Sequence, residues 1–477
     1  MMTRRKFLAA AGLLAFATPL LQACGAAADT GPAATAAAAA LAAQSAAKAG
    51  ATQVVAGPTT GAGAAPTTAA GAAPAPAAGT KTSVSIAVWT IAGREWQKTY
   101  AQKYAQAHPD VAVKIDEIDY NEMAKKQLAE LATGTLQDIV FSGIKWMSYS
   151  AYKGAFRAID DYVKQKDPGL DDFYPNALAG SKFDGKLYAL PFEQNPGNSN
   201  VVVYNKDMVD KKGVKPPTDD WKLEDFADFA VKMTDPGAKV WGTDYFLGSY
   251  YDFAALARSL GGDVMTDDGK KFTLTTDPKS VESAHFFVDI RTKYKAAPSR
   301  AESQGIAFPA GQLASTATGV QSIISLAKTV ADKFKWDVVL GPTGPGGLRG
   351  QDGFVTMFNM YSKSKQPEAA YDMMNYMTSK EVALWAMANQ GQPAARKSVW
   401  LSPEVKQVNP IFARAEAWMA DPKHKGPFPM PNNLRFSELQ DKWANTSEAL
   451  WYGEVGFDEG IKKVQDACDA IVQLPRS

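Results

Sequence analysis

Ser83-Val84-Ser85-Ile86-Ala87-Val88-Trp89 is the stretch that decides the fold class: Val84, Ile86 and Val88 alternate with Ser85 and Ala87, which is the period of a strand. A turn over residues 90–93 follows. Trp96, Tyr100, Tyr104 and Ala107 then recur every three or four residues as a helical stripe that stops at His108-Pro109-Asp110. Val111, Val113 and Ile115 alternate again. A second helical stretch at 121–133 leads into Asp138-Ile139-Val140-Phe141-Ser142, a short apolar run suited to a strand covered on both faces. Strand, helix, strand, helix, strand predicts an α/β lobe on a largely parallel sheet.

Downstream segments repeat the idiom. Residues 200–204 form a β-branched run between Pro196-Gly197-Asn198 and Asn205-Lys206-Asp207, and Lys215-Pro216-Pro217-Thr218 is a turn cluster. Residues 221–233 place Leu223, Phe226, Phe229 and Ala230 on one helix face, and 354–361 read as extended. Gln366-Pro367-Glu368 opens a helix whose Ala370, Met373, Met374 and Met377 keep the 3.6 period; Pro367 suits its first turn, and Gly391 stops the next helix. No repeat of 20–50 residues is present.

Upstream, Thr3-Arg4-Arg5-Lys6-Phe7-Leu8, an apolar run from 9 to 21, and Leu21-Gln22-Ala23-Cys24-Gly25 have the order of an export signal over residues 1–23. Roughly a dozen apolar residues cannot span about 30 Å of hydrocarbon, so a permanent transmembrane anchor is not expected. The arginine pair resembles a twin-arginine signal, with an ordinary basic n-region on the general secretory route as the alternative. The last five residues resemble a bacterial lipoprotein box, which implies lipidation of Cys24 and an extracytoplasmic protein held at the outer face of the cell membrane or in the periplasm. Residues 24–80 are nearly all Ala, Gly, Thr and Pro, too poor in bulky apolar surface to offset the entropy of ordering. As a flexible tether they reach on the order of 40 Å.

Charge and ligand-type residues exclude several classes. With 51 basic against 50 acidic residues, nothing asks for nucleic acid or an anionic membrane surface. Cys468 has no disulfide partner once Cys24 is assigned to lipid, and reads as a small helix residue in Asp466-Ala467-Cys468-Asp469-Ala470. His108, His285 and His424 lie far apart without a second His or Cys at ligand spacing, so neither a metal site nor a cofactor is expected, nor a Ser-His-Asp arrangement. Aromatic residues are plentiful, at 11 Trp, 17 Tyr and 22 Phe, which leaves rings for a lined site beyond those in a core.

Phe173-Tyr174-Pro175, Phe183-Asp184-Gly185-Lys186-Leu187-Tyr188-Ala189-Leu190-Pro191, Val203-Tyr204-Asn205-Lys206-Asp207 and Pro217 with Trp221 resemble the central stretch of family 1 extracellular solute-binding proteins of ABC importers, the maltose-binding type. Phe308-Pro309-Ala310-Gly311-Gln312-Leu313-Ala314, Pro342-Thr343-Gly344-Pro345-Gly346-Gly347, Ser362-Lys363-Ser364 before Glu368-Ala369-Ala370, and Gly391-Gln392-Pro393-Ala394 continue the likeness in the family's order. The resemblance covers nearly everything after residue 81. It implies a two-lobed α/β fold of periplasmic-binding-protein type II, with ligand enclosed in a hinged cleft. One lobe would comprise 81–195 and 354–401, the other 196–353 and 402–477, with crossings near 194–200, 347–353 and 401–403. A carbohydrate ligand, permease subunits with a cytoplasmic ATPase, and a monomeric state are implied by the same likeness.

Sugar recognition needs aromatic faces for apolar C–H patches and carboxylates, amides or arginines for hydroxyls. Trp89 closes the first strand, with Arg94 and Glu95 on the turn after it; Lys145 and Trp146 follow the third strand. Glu193 and Asn195 fall at the implied first crossing, and Gly353 and Phe354 at the second. Tyr250 and Tyr251 precede Gly261-Gly262 at the spacing of an aromatic sugar platform in the maltose-binding type. Where many relatives carry a stacking tryptophan after Gly311 and Ala314, this chain has Gln321, which offers hydrogen bonds without a ring face. Arg435, after Phe428-Pro429-Met430-Pro431-Asn432-Asn433-Leu434, can fork onto a carboxylate or vicinal hydroxyls.

These features predict a non-catalytic receptor for a sugar, oligosaccharide or polyol. A binding protein for a non-sugar solute and a secreted carbohydrate-active enzyme are the alternatives. The enzyme requires two carboxylates about 5–10 Å apart; Glu95 and Glu193 are its candidates, and nothing in the sequence pairs them.

Overall fold

β1 (Thr82–Thr90), fully buried from Ile86 to Val88, carries β2 (Val111–Asp119) and β3 (Ile139–Gly143) on its two edges, both parallel to it, with Ile86 opposite Ile115 and Ile139. The computed structural model describes residues 81–474 apart from 92–94, 121, 198, 245–248, 267, 351–352 and 422–432, and apart from the side chains of Ala124 and Lys145. The signal, Cys24 and the tether lie outside the described residues, as does Arg94. Residues 78–477 form one compact unit.

The crossovers between the parallel strands are α1 (Trp96–Ala107) and α2 (Met123–Thr133), and α3 (Ile144–Tyr152) leaves β3 directly. The aromatic stripe of α1 is its buried face. Trp96 is stacked on Phe192 at a centroid distance of 3.7 Å and edge-on to Phe141 and Phe358, which ties the helix to the middle of the sheet.

The chain continues through β4 (Ala189–Gln194), β5 (Val201–Asn205), α4 (Leu223–Met233), α5 (Tyr250–Ser259), α6 (Pro278–Thr292), β6 (Ser315–Thr318), α7 (Ile323–Val330), β7 (Trp336–Leu340) and β8 (Val355–Met360). It ends with α8 (Pro367–Met377), α9 (Lys380–Gln390), α10 (Pro403–Val408), α11 (Pro410–Ala420), α12 (Phe436–Trp451) and α13 (Phe457–Val472). The first sheet has the order β2-β1-β3-β8-β4; β8 is antiparallel to both neighbours, with Phe358 opposite Phe141 and Leu190. The largely parallel sheet expected from sequence is therefore a mixed one, with a strand from much later in the chain inserted against the run of the others.

A second, three-stranded sheet has the order β6-β5-β7, all antiparallel, with Val202 opposite Ala317 and Val339. Every residue of β5 is buried because both faces are covered. Val201 and Val203 join one core cluster with Ile411, Phe412 and Ala415 of α11, whereas Val202 and Tyr204 join another with residues of α4, α5, α6, α12 and α13. Cys468 of α13 belongs to the latter, and burial pushes its thiol up to about 12.

This topology fixes where a site can form. The chain leaves the carboxyl end of β4 for the start of β5, and leaves the end of β7 for the start of β8, so two segments link the same edge of the first sheet to the second sheet. Open α/β sheets place ligands outside the carboxyl ends of their strands.

Candidate functional site

The linking segments are pinned by polar contacts rather than by apolar packing alone. In the first, the Asn195 N–H donates to the Phe354 carbonyl at 2.8 Å, the Asn195 side chain accepts from the Gly197 N–H, and the Ser199 hydroxyl donates to buried Asp252 of α5. Asn200 accepts the Val320 N–H on its side chain and the Gly341 N–H on its carbonyl. In the second segment, Arg349, 8% exposed, donates Nε to the Gly341 carbonyl at 2.6 Å and Nη2 to the Asp219 carbonyl. Burial lowers the Arg349 guanidinium to about 10, the nearby Asp219 and Asp220 opposing the fall. Gly350 lies so close to α5 that a β-carbon would stand 2.1 Å from the Ala255 carbonyl, and its N–H donates to Ser259 Oγ.

Rings form a continuous wall across this junction. Trp89, 6% exposed, meets Tyr120, Phe141 and Trp146 edge-on, and its indole N–H donates to the Phe141 carbonyl at 3.1 Å. A β-carbon at Gly143 would lie 3.4 Å from Phe354 and 3.5 Å from Trp146, so these two rings flank the end of β3. Phe354 meets Tyr251 edge-on at 6.1 Å, and Tyr251 in turn meets Tyr250 and Phe436. Tyr250 faces inward, packed edge-on against Trp443 and Phe436, where burial raises its phenol; its hydroxyl has no hydrogen-bond partner among the described residues. Ile144 of α3 packs against both of the large core clusters, and α3 touches α12.

A cleft of about 530 Å³ lies among Ile91, Asp244, Gln321 and Gln390, within the usual range of small-molecule sites. Ile91, just past β1, and Gln390, at the end of α9, line it together with Asp244, Thr316, Thr318, Gln321, Ser322 and Ser325 and the apolar Ile306, Phe308, Pro309 and Leu326. Gln390 also accepts the Trp96 N–H on Oε1 at 3.2 Å. Gly391, at φ 72°, lets the main chain turn where a β-carbon would stand 3.0 Å from the Gln321 carbonyl, so the two lobes meet closely at this rim. Burial raises the Asp244 carboxyl above the usual carboxylate range; a hydrogen bond from the Thr316 hydroxyl and the charge of Arg291 oppose the rise.

Of the residues singled out in sequence, Gln321 lines this cleft; Trp89, Trp146, Phe354, Tyr251 and Tyr250 belong to the ring wall and are not among the cleft's lining residues. Glu193, 4% exposed, accepts the Thr356 hydroxyl at 3.1 Å at the end of β4. Glu95 is exposed at the start of α1, and Gly353 has φ 59°. Arg435 pairs with Glu438 of its own helix at 2.9 Å. Lys145 begins α3 beside Ile144, and its side chain lies outside the described residues. Asp244, Thr316, Thr318 and Gln390 were not found from sequence. The alternation in Ser315-Thr316-Ala317-Thr318 puts Thr316 and Thr318 together on one strand face, a usable signal; Asp244 has none. No helix among the described residues is long and apolar enough to cross a membrane, and no group of three or more His, Cys, Asp or Glu among them is arranged to hold a metal ion.

Comparison with known proteins agrees with this architecture. Residues 99–423 match the family model described as bacterial extracellular solute-binding protein. A relative from Brucella abortus (strain 2308), named only as a binding protein, is 22% identical over 375 residues, covering 77% of this chain and 87% of its own. Among solved structures, the ABC substrate-binding protein Lmo0181 of Listeria monocytogenes in complex with cycloalternan superposes with a TM-score of 0.72 at 23% identity, over 82% of this chain and 98% of that one. An ABC transporter solute-binding protein from Agrobacterium vitis S4 with bound D-mannitol gives 0.65 at 23% identity, over the same shares. Two sheets joined by two linking segments, a cleft lined by both polar and apolar side chains, and a family match across most of the chain lead to one assignment: the protein belongs to the bacterial extracellular solute-binding protein family.

Proposed function

We propose that the protein captures a carbohydrate or polyol in the cleft between its lobes and delivers it to the permease of an ABC importer. The observation that carries this reading is the cleft lining: a carboxylate at Asp244, amides at Gln321 and Gln390, and hydroxyls at Thr316, Thr318, Ser322 and Ser325, together with the apolar Ile306, Phe308, Pro309 and Leu326. Such a set accepts and donates hydrogen bonds to many hydroxyls at once, while ring faces cover C–H patches. The cycloalternan and D-mannitol bound by the two structural neighbours support the same ligand class. Glu193 and Asn195 at the first crossing, and Trp89, Arg94, Glu95, Lys145, Trp146, Tyr251, Phe354 and Arg435 around the junction, are proposed contributors to ligand contact or closure.

The lobes we propose run over 81–195 with 354–401 and over 196–353 with 402–477, hinged at the two pinned segments and at a third near the start of α10. Residues 1–23 act in this reading as a twin-arginine-type signal, Cys24 carries lipid, and 24–80 tether a monomeric receptor at the outer face of the membrane. Isothermal titration calorimetry against mono-, di- and oligosaccharides and alditols tests the ligand class. Binding to a peptide or amine, with none to any sugar or polyol, would remove the carbohydrate part and leave the receptor.

A further inference from the structure

Arg291 sits in the last turn of α6 and is 4% exposed, deep for a guanidinium. Its Nη2 donates to the Asp244 carbonyl at 3.0 Å. On its far side lies the Tyr452 ring, 5.7 Å from the guanidinium carbon; Arg300 covers the same ring at 4.7 Å and is forked onto Glu454 at 2.6 and 2.9 Å, with Glu448 at 2.8 Å. A ladder thus runs from an exposed ion-pair cluster through Tyr452 and Arg291 to a carboxylate in the cleft wall. A buried cation is retained at a desolvation cost of several kcal/mol unless its surroundings compensate. Here its position behind Asp244 gives it a use.

We propose that Arg291 is a positioning residue for Asp244: from behind the cleft it fixes the Asp244 main chain and supplies the counter-charge to a carboxylate that accepts ligand hydroxyls. The ligand part rests on the reading under Proposed function; the positioning part does not. The groups that act on Asp244 are the Thr316 hydroxyl from β6 and Arg291 from α6; Lys328 from α7 is the charged side chain that lines the cleft with it, and Gln321 and Gln390 are uncharged. Lys328 is exposed and Arg291 is buried, so Arg291 is the cation whose charge on Asp244 is the less screened by solvent.

The test uses the chain with ¹³C-labelled aspartate and no ligand, the Asp244 signal being assigned by its loss in Asp244→Asn. Arg291→Met is expected to raise the pH at which Asp244 protonates by about one unit or more, and Arg291→Lys, which keeps the charge and loses the Nη2 bond, to lie between. With maltose and D-mannitol as probes, the one that binds the wild type should lose about tenfold in affinity on Arg291→Met at pH 7, more as pH falls, and Asp244→Asn should abolish that pH dependence. An Asp244 titration unmoved in every variant that folds overturns the proposal, whether or not a probe binds. A titration that moves as expected, in a chain that binds no sugar or polyol, sustains the positioning role and sinks the carbohydrate reading instead.

Discussion

Tyr251→Ala separates ligand contact from core packing most cleanly, because its sequence neighbour Tyr250 provides an internal control. Tyr251 is half-buried and meets three rings edge-on, Tyr250 at 6.0 Å and Phe354 and Phe436 at 6.1 Å. At about 0.5–1.5 kcal/mol per pair, its three ring contacts are together worth about 1.5–4.5 kcal/mol, and because the side chain is only half-buried its truncation should cost less than the 3–5 kcal/mol typical of a fully buried aromatic. Tyr250, 3% exposed against Trp443 and Phe436, belongs at that upper figure. If Tyr251 anchors ligand, its removal costs about 2 kcal/mol or more of binding, roughly thirtyfold in Kd, whereas Tyr250→Ala leaves Kd within a few fold. Tyr250→Phe keeps the ring and removes a buried hydroxyl with no partner among the described residues, so stability should hold or rise by about 1 kcal/mol. Denaturant unfolding and calorimetry on the three variants supply both quantities. Equal stability losses for Tyr251→Ala and Tyr250→Ala, with affinity retained in both, would refute the assignment of Tyr251 to the site.

Further outcomes follow from the same contacts. Burial raises the Asp172 carboxyl, but hydrogen bonds from the Ser398 main chain and hydroxyl and from Arg396 win, so it sits below the usual carboxylate range. A carboxyl depressed on folding stabilises above its unfolded pKa and loses that contribution as pH falls through its folded value. Asp172→Asn should therefore lower stability by about 2 kcal/mol at pH 7 and flatten the acid limb of an unfolding-midpoint profile. Gly391→Ala places a side chain at φ 72° against the Gln321 carbonyl, and should cost about 1 kcal/mol or more in stability while weakening any ligand that needs the closed rim, both read by thermal shift with and without ligand. Cys24→Ser should shift the protein from the membrane fraction to the soluble fraction or to an uncleaved precursor; retention with membranes after cleavage contradicts lipidation.

Fold class was legible because the first sixty residues of the domain obey local rules. Val84, Ile86 and Val88 alternate on β1, Trp96, Tyr100 and Tyr104 are the buried stripe of α1, and Ala370, Met373, Met374 and Met377 are the buried face of α8. Placement of β8 was not legible: its partners Phe141 and Leu190 lie far back in the chain, and no local period encodes a long-range antiparallel insertion. The site divides in the same way. Strand ends were readable, so Trp89, Trp146 and Phe354 fall at the junction of the lobes as the topology requires. Cleft residues set by tertiary placement were not, and Asp244 shows why: a lone carboxylate after Trp241-Gly242-Thr243 acquires meaning only when β6 brings Thr316 to it and α6 brings Arg291 behind it. Tyr250 and Tyr251 share one sequence motif, yet helix geometry turns one ring inward and leaves the other half exposed.

The central claim is that the cleft between the lobes holds a polyhydroxylated ligand, and calorimetric titration of the wild type and of Asp244→Ala against saccharides and alditols tests it most directly. At least one such compound should bind the wild type with a single site, and Asp244→Ala should lose about tenfold or more of that affinity while keeping its unfolding midpoint within a few degrees. Undiminished sugar affinity in Asp244→Ala would move the site away from this cleft, and absence of binding by any saccharide or alditol to the wild type would contradict the ligand class itself.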